Sequence, residues 1–307
     1  MGTKAEDVAD VRAALGLPPV PTLRPASQEE VKRLLASTSR RSTTPLRKAF
    51  VRNDEPDVDP PLARIVSTRG RGGGVALKLF LGLVRRSSAA PYSTHLSARR
   101  WANLLDLDDP AQLGARRVAD ALKRLEDLGL IEIEARRGEA SEVTLLREDG
   151  SGGAYEPPSS NARTGQRSNP ENWYFQAPDG LWDGYIQKLS APGLAMLLIL
   201  LAEPASRADG VWWSVDNFPT WYGVRASMRA RGTSELRELG LIRISKMKID
   251  TPRGGNDDDR DRVRNLYVLT GPARTVSQNA DIAAKASPGA AARSAQPRRA
   301  RRRMKRS

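Results

Sequence analysis

The 307-residue chain has no cysteine, one histidine and no long apolar run. Without cysteine it forms neither disulfides nor thiolate metal sites, and this composition suits a reducing compartment. No apolar segment approaches the roughly 18 residues that cross a bilayer. The first residues also lack the charged-then-apolar pattern of a signal peptide. We therefore expect a soluble, cytoplasmic protein that has no membrane partner.

Residue types that usually carry catalysis are also scarce. His95 is the only histidine, and its position beside Ser93 and Thr94 is more typical of a surface residue than of a catalytic base. The segment "RGRGGG" at 69–74 lacks the spacing of a phosphate-binding loop and predicts a hinge. The aspartates of 257–261 have no glycine-shaped loop to converge on Mg²⁺, so they predict a mixed-charge loop. We expect no enzymatic activity, no cofactor and no metal.

What the chain does have is a net charge of +14, which indicates a nucleic-acid partner where the charge is concentrated. Residues 281–307 hold nine basic residues and one acidic residue, whereas residues 75–280 hold 28 basic and 26 acidic residues. A disordered polycation at the end of the chain raises non-specific affinity for DNA or RNA. The predicted contacts of this tail are Arg298, Arg299, Arg301, Arg302, Arg303, Lys305 and Arg306.

The length favours two domains, because a typical domain has roughly 100 to 200 residues. Composition places the boundaries, since the stretch after residue 147 is rich in Gly, Ser, Pro and Asn and is typical of a flexible linker. The predicted organisation is an N-terminal extension, partly helical or disordered, at 1–74, a domain at 75–147, a linker at 148–180, a second domain at 181–272 and a disordered basic tail at 273–307.

Periodicity predicts three helices and a hairpin in the first domain. The helix candidates are "VALKLFLGLVRR" from Val75, "LSARRWANLLDL" at 96–107 and "ARRVADALKRLEDLGL" at 115–130. "IEIEA" and "EVTLL" then alternate as two strands around the turn "RRGEAS". In the extension, Ser27 and Glu30 form a capping box that predicts a short helix over 27–37.

The second domain repeats this order of elements. Its helix candidates are "APGLAMLLILLAE", "VDNFPTWYGV" and "RASMRARGTSELRELGL", with a short strand, "GVWWS", after the first. "IRISKMKI" and "NLYVLT" predict the closing hairpin. Residues 125–133, "LEDLGLIEI", and residues 236–244, "LRELGLIRI", share six identical positions at the same place in both copies. Their leucines predict a packed helix end, and their glycine supplies the positive φ of the turn into the strand.

The helix end "L..LGLI.I", together with this order of elements, resembles the winged helix-turn-helix superfamily. The resemblance covers about 75–147 and 181–270. It implies an α+β, mainly α fold with two tandem winged helix-turn-helix domains and flexible basic tails. Two such domains on one basic chain are also similar in architecture to the replication initiator proteins of plasmids. The partner implied is double-stranded DNA, with replication or transcription machinery beside it.

In winged helix proteins the first half of the third helix enters the major groove, where arginine recognises guanine and neighbouring residues hold phosphates. By position, the first domain contributes Gln112, Arg116, Arg117, Asp120, Lys123 and Arg124. The second domain contributes Arg225, Ser227, Arg229 and Arg231. Aligned by the repeat, Arg229 stands where the first domain has the apolar Val118. This departure implies a locally rotated helix or a loose first turn from which Arg229 extends to solvent.

The hairpins supply further predicted contacts, which are Arg136, Arg137, Lys246, Lys248 and Arg253. Trp212, Trp213, Trp221 and Tyr222 would suit a stacking platform for single-stranded bases, but their positions beside an apolar helix are more typical of a core. Trp101 is also predicted to be a core residue.

The biological role stays open at the level of sequence. Replication initiation on a plasmid or mobile element is the first prediction, because two unequal domains on one chain suit direct or asymmetric sites. Transcriptional regulation is the alternative, and both roles place the protein at the nucleoid or a plasmid. A third interpretation follows from the near-neutral charge of residues 75–280: the domains bind proteins, and only the tail binds nucleic acid.

Overall fold

A computed structural model describes residues 26–35, 43–53, 58–67, 72–158, 173–203, 210–214, 217–248 and 263–274. Over these residues the chain is a mixed α/β protein, mainly helical, with small antiparallel sheets. None of the helices in the described ranges is long and apolar enough to cross a membrane.

The helices are numbered along the chain as α1 (Gln28–Leu35), α2 (Pro61–Val66), α3 (Gly72–Arg86), α4 (Ala98–Leu104), α5 (Leu113–Asp127), α6 (Tyr185–Lys188), α7 (Ala191–Ala202), α8 (Asn217–Tyr222) and α9 (Ala226–Glu238). The strands are β1 (Thr43–Arg47), β2 (Ser93–Thr94), β3 (Ile131–Glu134), β4 (Glu142–Leu145), β5 (Tyr174–Pro178), β6 (Ile242–Lys248) and β7 (Val263–Leu269). Helices therefore form at each segment where periodicity predicted one.

Residues 72–147, called the first unit, contain α3, β2, α4, α5, β3 and β4 in that order. The strands form an antiparallel sheet in the order β2, β4, β3, with Ile133 opposite Val143. One side of α5 is buried against α3 and α4 through Val118 and Leu125. Trp101 of α4 is fully buried, which confirms its predicted place in the core.

Residues 191–269, called the second unit, follow the same order with α7, α8, α9, β6 and β7. Val211, between α7 and α8, pairs with Tyr267 of β7 and so takes the place that β2 has in the first unit. The helix α7 is buried almost all round, because α9 packs on it from within the second unit while α3 packs on it from the first. The two units therefore share one continuous hydrophobic core.

The repeated nine residues close α5 and α9 in the same way. Gly129 and Gly240 both have φ of +68°, where an L side chain would be strained. In each copy the residue after the glycine donates its backbone N–H to the carbonyl five residues earlier, at 3.0 Å from Leu130 and 2.9 Å from Leu241. Both of these leucines are fully buried. The interpretation of the repeat as a packing feature is confirmed.

A close contact between helices fixes α9 on α7. A Cβ placed on Gly232 would lie 2.2 Å from the carbonyl oxygen of Pro192, so only glycine permits this separation. Thr233, the next residue, is also buried. The backbone of α9 is thereby held directly against the first turn of α7.

The extension and the linker contain structure that the sequence did not reveal. The helix predicted over 27–37 is present as α1, and Ser27 Oγ accepts a hydrogen bond from the backbone N–H of Glu30 at 3.1 Å. The strand β1 pairs antiparallel with β5, which lies in the stretch assigned to a linker. The expected hinge at 69–74 is wrong in its second half, because Gly72–Gly74 form the first turn of α3.

Candidate nucleic-acid interface

The turn between α4 and α5 determines where α5 begins. Asp106 and Asp109 adopt positive φ, which short polar residues tolerate better than most. Asp109 Oδ2 accepts a hydrogen bond from the backbone N–H of Leu113 at 3.3 Å. The side chain of Leu113 is nevertheless 63% exposed, so an apolar surface residue stands at the amino end of the helix. Sequence reasoning missed Leu113, although an apolar residue that lies outside the apolar stripe of its helix could have been recognised as exposed.

The outer face of α5 carries four of the predicted contacts. Gln112, Arg116, Asp120 and Lys123 are all exposed, opposite the buried side of the helix. The three charged residues alternate in sign at spacings of three or four, so neighbouring charges partly neutralise each other. This face of α5 is therefore only weakly basic.

Two other predicted contacts of α5 need correction, because both are half-buried instead of pointing away from the core. Arg124 Nη2 donates to the backbone carbonyl of Arg64 in α2, and burial lowers the pKa of Arg124. Arg117 lies near Lys78 of α3: burial is the main cause that lowers the pKa of Lys78, and the charge of Arg117 lowers it further. Arg124 thus holds α5 to α2, and Arg117 lies on the flank of the exposed face.

The first half of α9 presents a different surface. Between residues 225 and 234 there are three arginines and no acidic residue. Arg225 and Arg231 are exposed, and the exposed residues between them, Ala226, Ser227 and Ala230, are small. Small side chains let a polyanion approach the helix backbone, whose amino end carries partial positive charge. This face suits phosphate oxygens better than the outer face of α5 does.

The remaining arginine in this range, Arg229, packs against aromatic side chains. The guanidinium of Arg229 lies over three aromatic rings, 4.5 Å from the centroid of Phe218, 5.5 Å from that of Trp213 and 5.9 Å from that of Tyr267. A guanidinium is attracted to aromatic faces, so a charged residue can occupy the position that Val118 has in α5. The half-buried guanidinium therefore lies on these rings instead of extending to solvent as expected, while the DNA contact of Arg229 stays a prediction.

At the tip of the first hairpin, Arg136 and Arg137 are exposed as predicted. Arg136 forms an ion pair with Glu142, and Ser93 Oγ donates to the same carboxylate at 2.7 Å. The hydrogen bond from Ser93 is the largest cause that lowers the pKa of Glu142, with Arg136 contributing further. The exposed His95 lies 3.6 Å from this carboxylate, which confirms its surface position. Arg136 is thus oriented by the hairpin, while Arg137 extends at its tip.

On the second hairpin, Lys246 is exposed and Lys248 ends β6. Sequence reasoning missed Arg243, which is exposed on the outer face of β6 together with Met247. Arg243 and Met247 lie on the face of β6 opposite to Ile242 and Ile244. This alternation could have identified both residues as exposed.

The aromatic residues divide between core and surface. Trp213 and Tyr222 are buried, as predicted, and Trp213 Nε1 donates to the hydroxyl of Tyr222 at 3.1 Å. Trp212 is 42% exposed, so its predicted core position is wrong. The guanidinium of Arg264 lies 3.6 Å from the ring centroid of Trp212, and the two form a cationic aromatic patch beside Met247.

One apolar cavity among the described residues is too small for a small-molecule ligand. This cavity, lined by residues such as Leu46, Leu81 and Leu198, has about 10 Å³ of free space, which is about one water molecule. Within the described ranges, no group of three His, Cys, Asp or Glu residues is placed to hold a metal ion. The surfaces of the helices and hairpins are therefore the candidate sites that this part of the chain offers.

The contacts predicted at Arg253 and in the tail at 298–306 lie outside the described residues. No protein-family model, curated protein or solved structure matches the chain. The topology and surfaces of the chain itself therefore carry the functional proposal.

Proposed function

We propose that the protein binds duplex DNA in a sequence-specific manner through two winged helix-turn-helix units, with α5 and α9 as the helices that enter the major groove. The observation that carries this proposal is one topology present twice. In each unit three helices precede an antiparallel hairpin, and an extended segment after the first helix pairs with the second strand of that hairpin. This is the arrangement in which a winged helix protein exposes its third helix beside the hairpin.

The charged residues on α5 and α9 support different contributions of the two helices to DNA binding. The face around Arg225 and Arg231 is basic and lined by small residues, which suits close contact with a groove and its phosphates. The face of α5 offers Arg116 for a base contact and Leu113 for a thymine methyl group. Two unequal helices on one chain suit a direct or asymmetric site. Within the proposal, the protein initiates replication of a plasmid or mobile element, and transcriptional regulation is the alternative role.

A second candidate function is favoured by one observation. Leu113 is 63% exposed at the start of a helix face whose charges nearly cancel, and such a surface also suits a protein partner. In this alternative the units bind protein, and the polycationic tail binds nucleic acid without sequence preference.

Selection from random duplexes, followed by footprinting, separates the two candidates. The full chain and a chain ending at residue 280 are each footprinted on the selected site. We expect both to protect the same bases, with the shorter chain binding more weakly and with less dependence on salt. Because each phosphate contact contributes about 0.9 to the salt slope, removing the nine basic residues of 281–307 should reduce the magnitude of that slope by up to about 8. Disappearance of all protection with the tail would favour the second candidate.

Substitutions in α9 test the assignment of its surface. Arg225→Ala with Arg231→Ala should lower the affinity for the selected site by about 1–3 kcal/mol for each base that is no longer hydrogen-bonded. Arg237→Ala is the matched control, because Arg237 is exposed in the last turn of the same helix. Equal decreases in affinity for the double variant and the control would overturn the assignment of the amino-terminal half of α9.

A further inference from the structure

The residues at 43–53 and 58–67, called the bridging segment, contact the first unit and the residues directly after it. Arg47 forms an ion pair with Glu148, and both side chains are fully buried. Arg47 Nη2 also donates to the carbonyl oxygen of Glu156 at 2.8 Å. From the other end of the segment, the carbonyl of Arg64 accepts from Arg124 on α5. The segment is thus attached both to the base of the first hairpin and to one of the proposed recognition helices.

The same segment contacts the second unit. Arg52 Nη1 lies 3.3 Å from Glu203 Oε1 at the end of α7, and its guanidinium stands 4.2 Å from the ring centroid of Trp221 on α8. The backbone N–H of Asn53 donates to the carbonyl of Trp221 at 3.3 Å. The turn after α8 packs closely on α2, because a Cβ on Gly223 would lie 2.7 Å from that of Ala63.

The first helices of the two units also contact each other directly. A Cβ on Gly74 of α3 would lie 3.5 Å from the Cβ of Ala191 in α7, which is ordinary van der Waals contact. Lys78 of α3 donates to the carbonyl of Gln187, just before α7. Burial lowers the pKa of Lys78, the charge of Glu235 on α9 opposes that shift, and the charge of Arg117 on α5 adds to it. The half-buried Lys78 is thus influenced by charged residues of both proposed recognition helices, whose apolar sides belong to one core.

We infer that α5 and α9 are held at one fixed separation, so that the protein recognises a duplex carrying two sites at a single spacing and helical phase. This inference rests on the proposed function. Two domains on a flexible linker would adapt to changes in site spacing, whereas a shared core and a bridging segment do not. The bridging segment is then a specificity-determining element, although it contacts no base itself. The flexible connection predicted from the composition of 148–180 would give the opposite behaviour.

The separation of the helices can be measured without DNA. Because the chain has no cysteine, Ala119→Cys with Ala230→Cys places one spin label on the exposed face of each helix. The control pair is Ala119→Cys with Asp127→Cys. Because both positions lie in α5, the width of their distance distribution comes from the motion of the labels alone. We expect a single distance for the first pair, with a distribution as narrow as that of the control. A broad or multiple distribution overturns the inference.

The spacing rule is tested on the selected duplex. One to ten base pairs are inserted between its two halves. Each inserted pair shifts the second half along the duplex axis and rotates it about that axis by about a tenth of a turn. We expect affinity to fall at least about tenfold for every insertion, including a full turn that restores the phase, because only one half of the site can then be bound at a time. A spacer of unchanged length and altered sequence is the control and should bind as before. Full affinity after a ten-base-pair insertion overturns the rule.

The label distances and the base-pair insertions together distinguish a failure of the fixed spacing from a failure of the proposed function. Specific binding with a broad distance distribution, or with tolerance of insertions, overturns the fixed spacing alone. A chain that selects no duplex site overturns the proposed function and the spacing rule with it, while the label distances still show whether α5 and α9 are fixed. A narrow distribution together with reduced affinity on every insertion supports both.

Discussion

The guanidinium of Arg47 lies against the carboxylate of Glu148, 101 positions later in the chain, and neither side chain is exposed to solvent. The pair joins β1 to the residues that follow β4. Desolvation of two charges opposes folding, and their attraction together with added hydrogen bonds offsets that penalty. Burial raises the pKa of Glu148, and the charge of Arg47 opposes that shift.

Removing one partner should therefore destabilise the protein more than removing both. Arg47→Met leaves a buried carboxyl group without its cation, and we expect the free energy of unfolding to fall by about 3–5 kcal/mol. Arg47→Met with Glu148→Leu replaces the pair by apolar groups of similar size and should recover most of that decrease. Urea unfolding of the three proteins at neutral pH gives the values. Equal destabilisation in the single and double variants would contradict the prediction.

The same variant should change how stability depends on pH. Without Arg47, the pKa of Glu148 rises further, so the folded chain holds a proton that the unfolded chain releases. Stability is then greatest below the unfolded pKa of about 4.3 and is lost as the pH rises towards the folded pKa. Relative to the double variant, Arg47→Met should lose stability between about pH 4 and neutral pH. Urea unfolding of both variants at several pH values across that range measures how the difference in their stability depends on pH. A stability difference that shrinks as the pH rises would contradict this prediction.

The close contact of α9 with α7 yields a prediction about backbone position. Gly232→Ala places a Cβ against a backbone carbonyl, which no rotamer change relieves, and should lower the free energy of unfolding by about 3 kcal/mol. Gly240→Ala is the comparison, because its Cβ meets nothing within 4 Å and only the positive φ disfavours it, by about 1–2 kcal/mol. Unfolding by urea ranks the two, and a larger decrease for Gly240→Ala would show that the helices do not approach so closely.

The sequence revealed those elements whose burial follows a local period. An apolar stripe with a three-to-four-residue repeat predicts helices such as α5, and the nine-residue repeat located the same helix end in both units. These signals are local because each side chain's environment depends mainly on its own helix. The order of elements in both units was accessible from sequence for the same reason.

The bridging segment and the position of Arg229 depend on contacts between distant residues. The strand β1 is stabilised by pairing with β5, about 130 positions away, and a five-residue strand has too short a pattern to reveal that partner. Arg229 stands over rings contributed by three separate segments, so its sequence neighbours carry no sign of them. The same holds for Arg124, whose acceptor lies 60 positions earlier.

Neighbouring arginines on α5 should differ in their effect on DNA affinity. Arg116 is exposed, so Arg116→Ala should weaken binding to the selected duplex by about 1–3 kcal/mol without changing stability. Arg117 is half-buried beside Lys78, so Arg117→Ala should change affinity much less and should raise the pKa of Lys78 by removing a nearby positive charge. Fluorescence anisotropy measures affinity, and NMR titration of the lysine side chain measures the pKa. Equal decreases in affinity would mean that both arginines bind DNA.

A second pair of arginines should separate stability from binding within α9. Arg229→Ala removes a guanidinium from three aromatic faces and should lower the free energy of unfolding by about 1–2 kcal/mol. Arg231 is exposed two residues later, so Arg231→Ala should leave stability within about 0.5 kcal/mol while it weakens DNA binding. Urea unfolding and anisotropy on both variants give the comparison. Arg229→Lys refines it, because lysine keeps the charge but lacks the planar group that stacks on the rings, and should recover only part of the stability. If Arg229→Ala instead weakened binding at unchanged stability, Arg229 would belong to the DNA-binding face of α9.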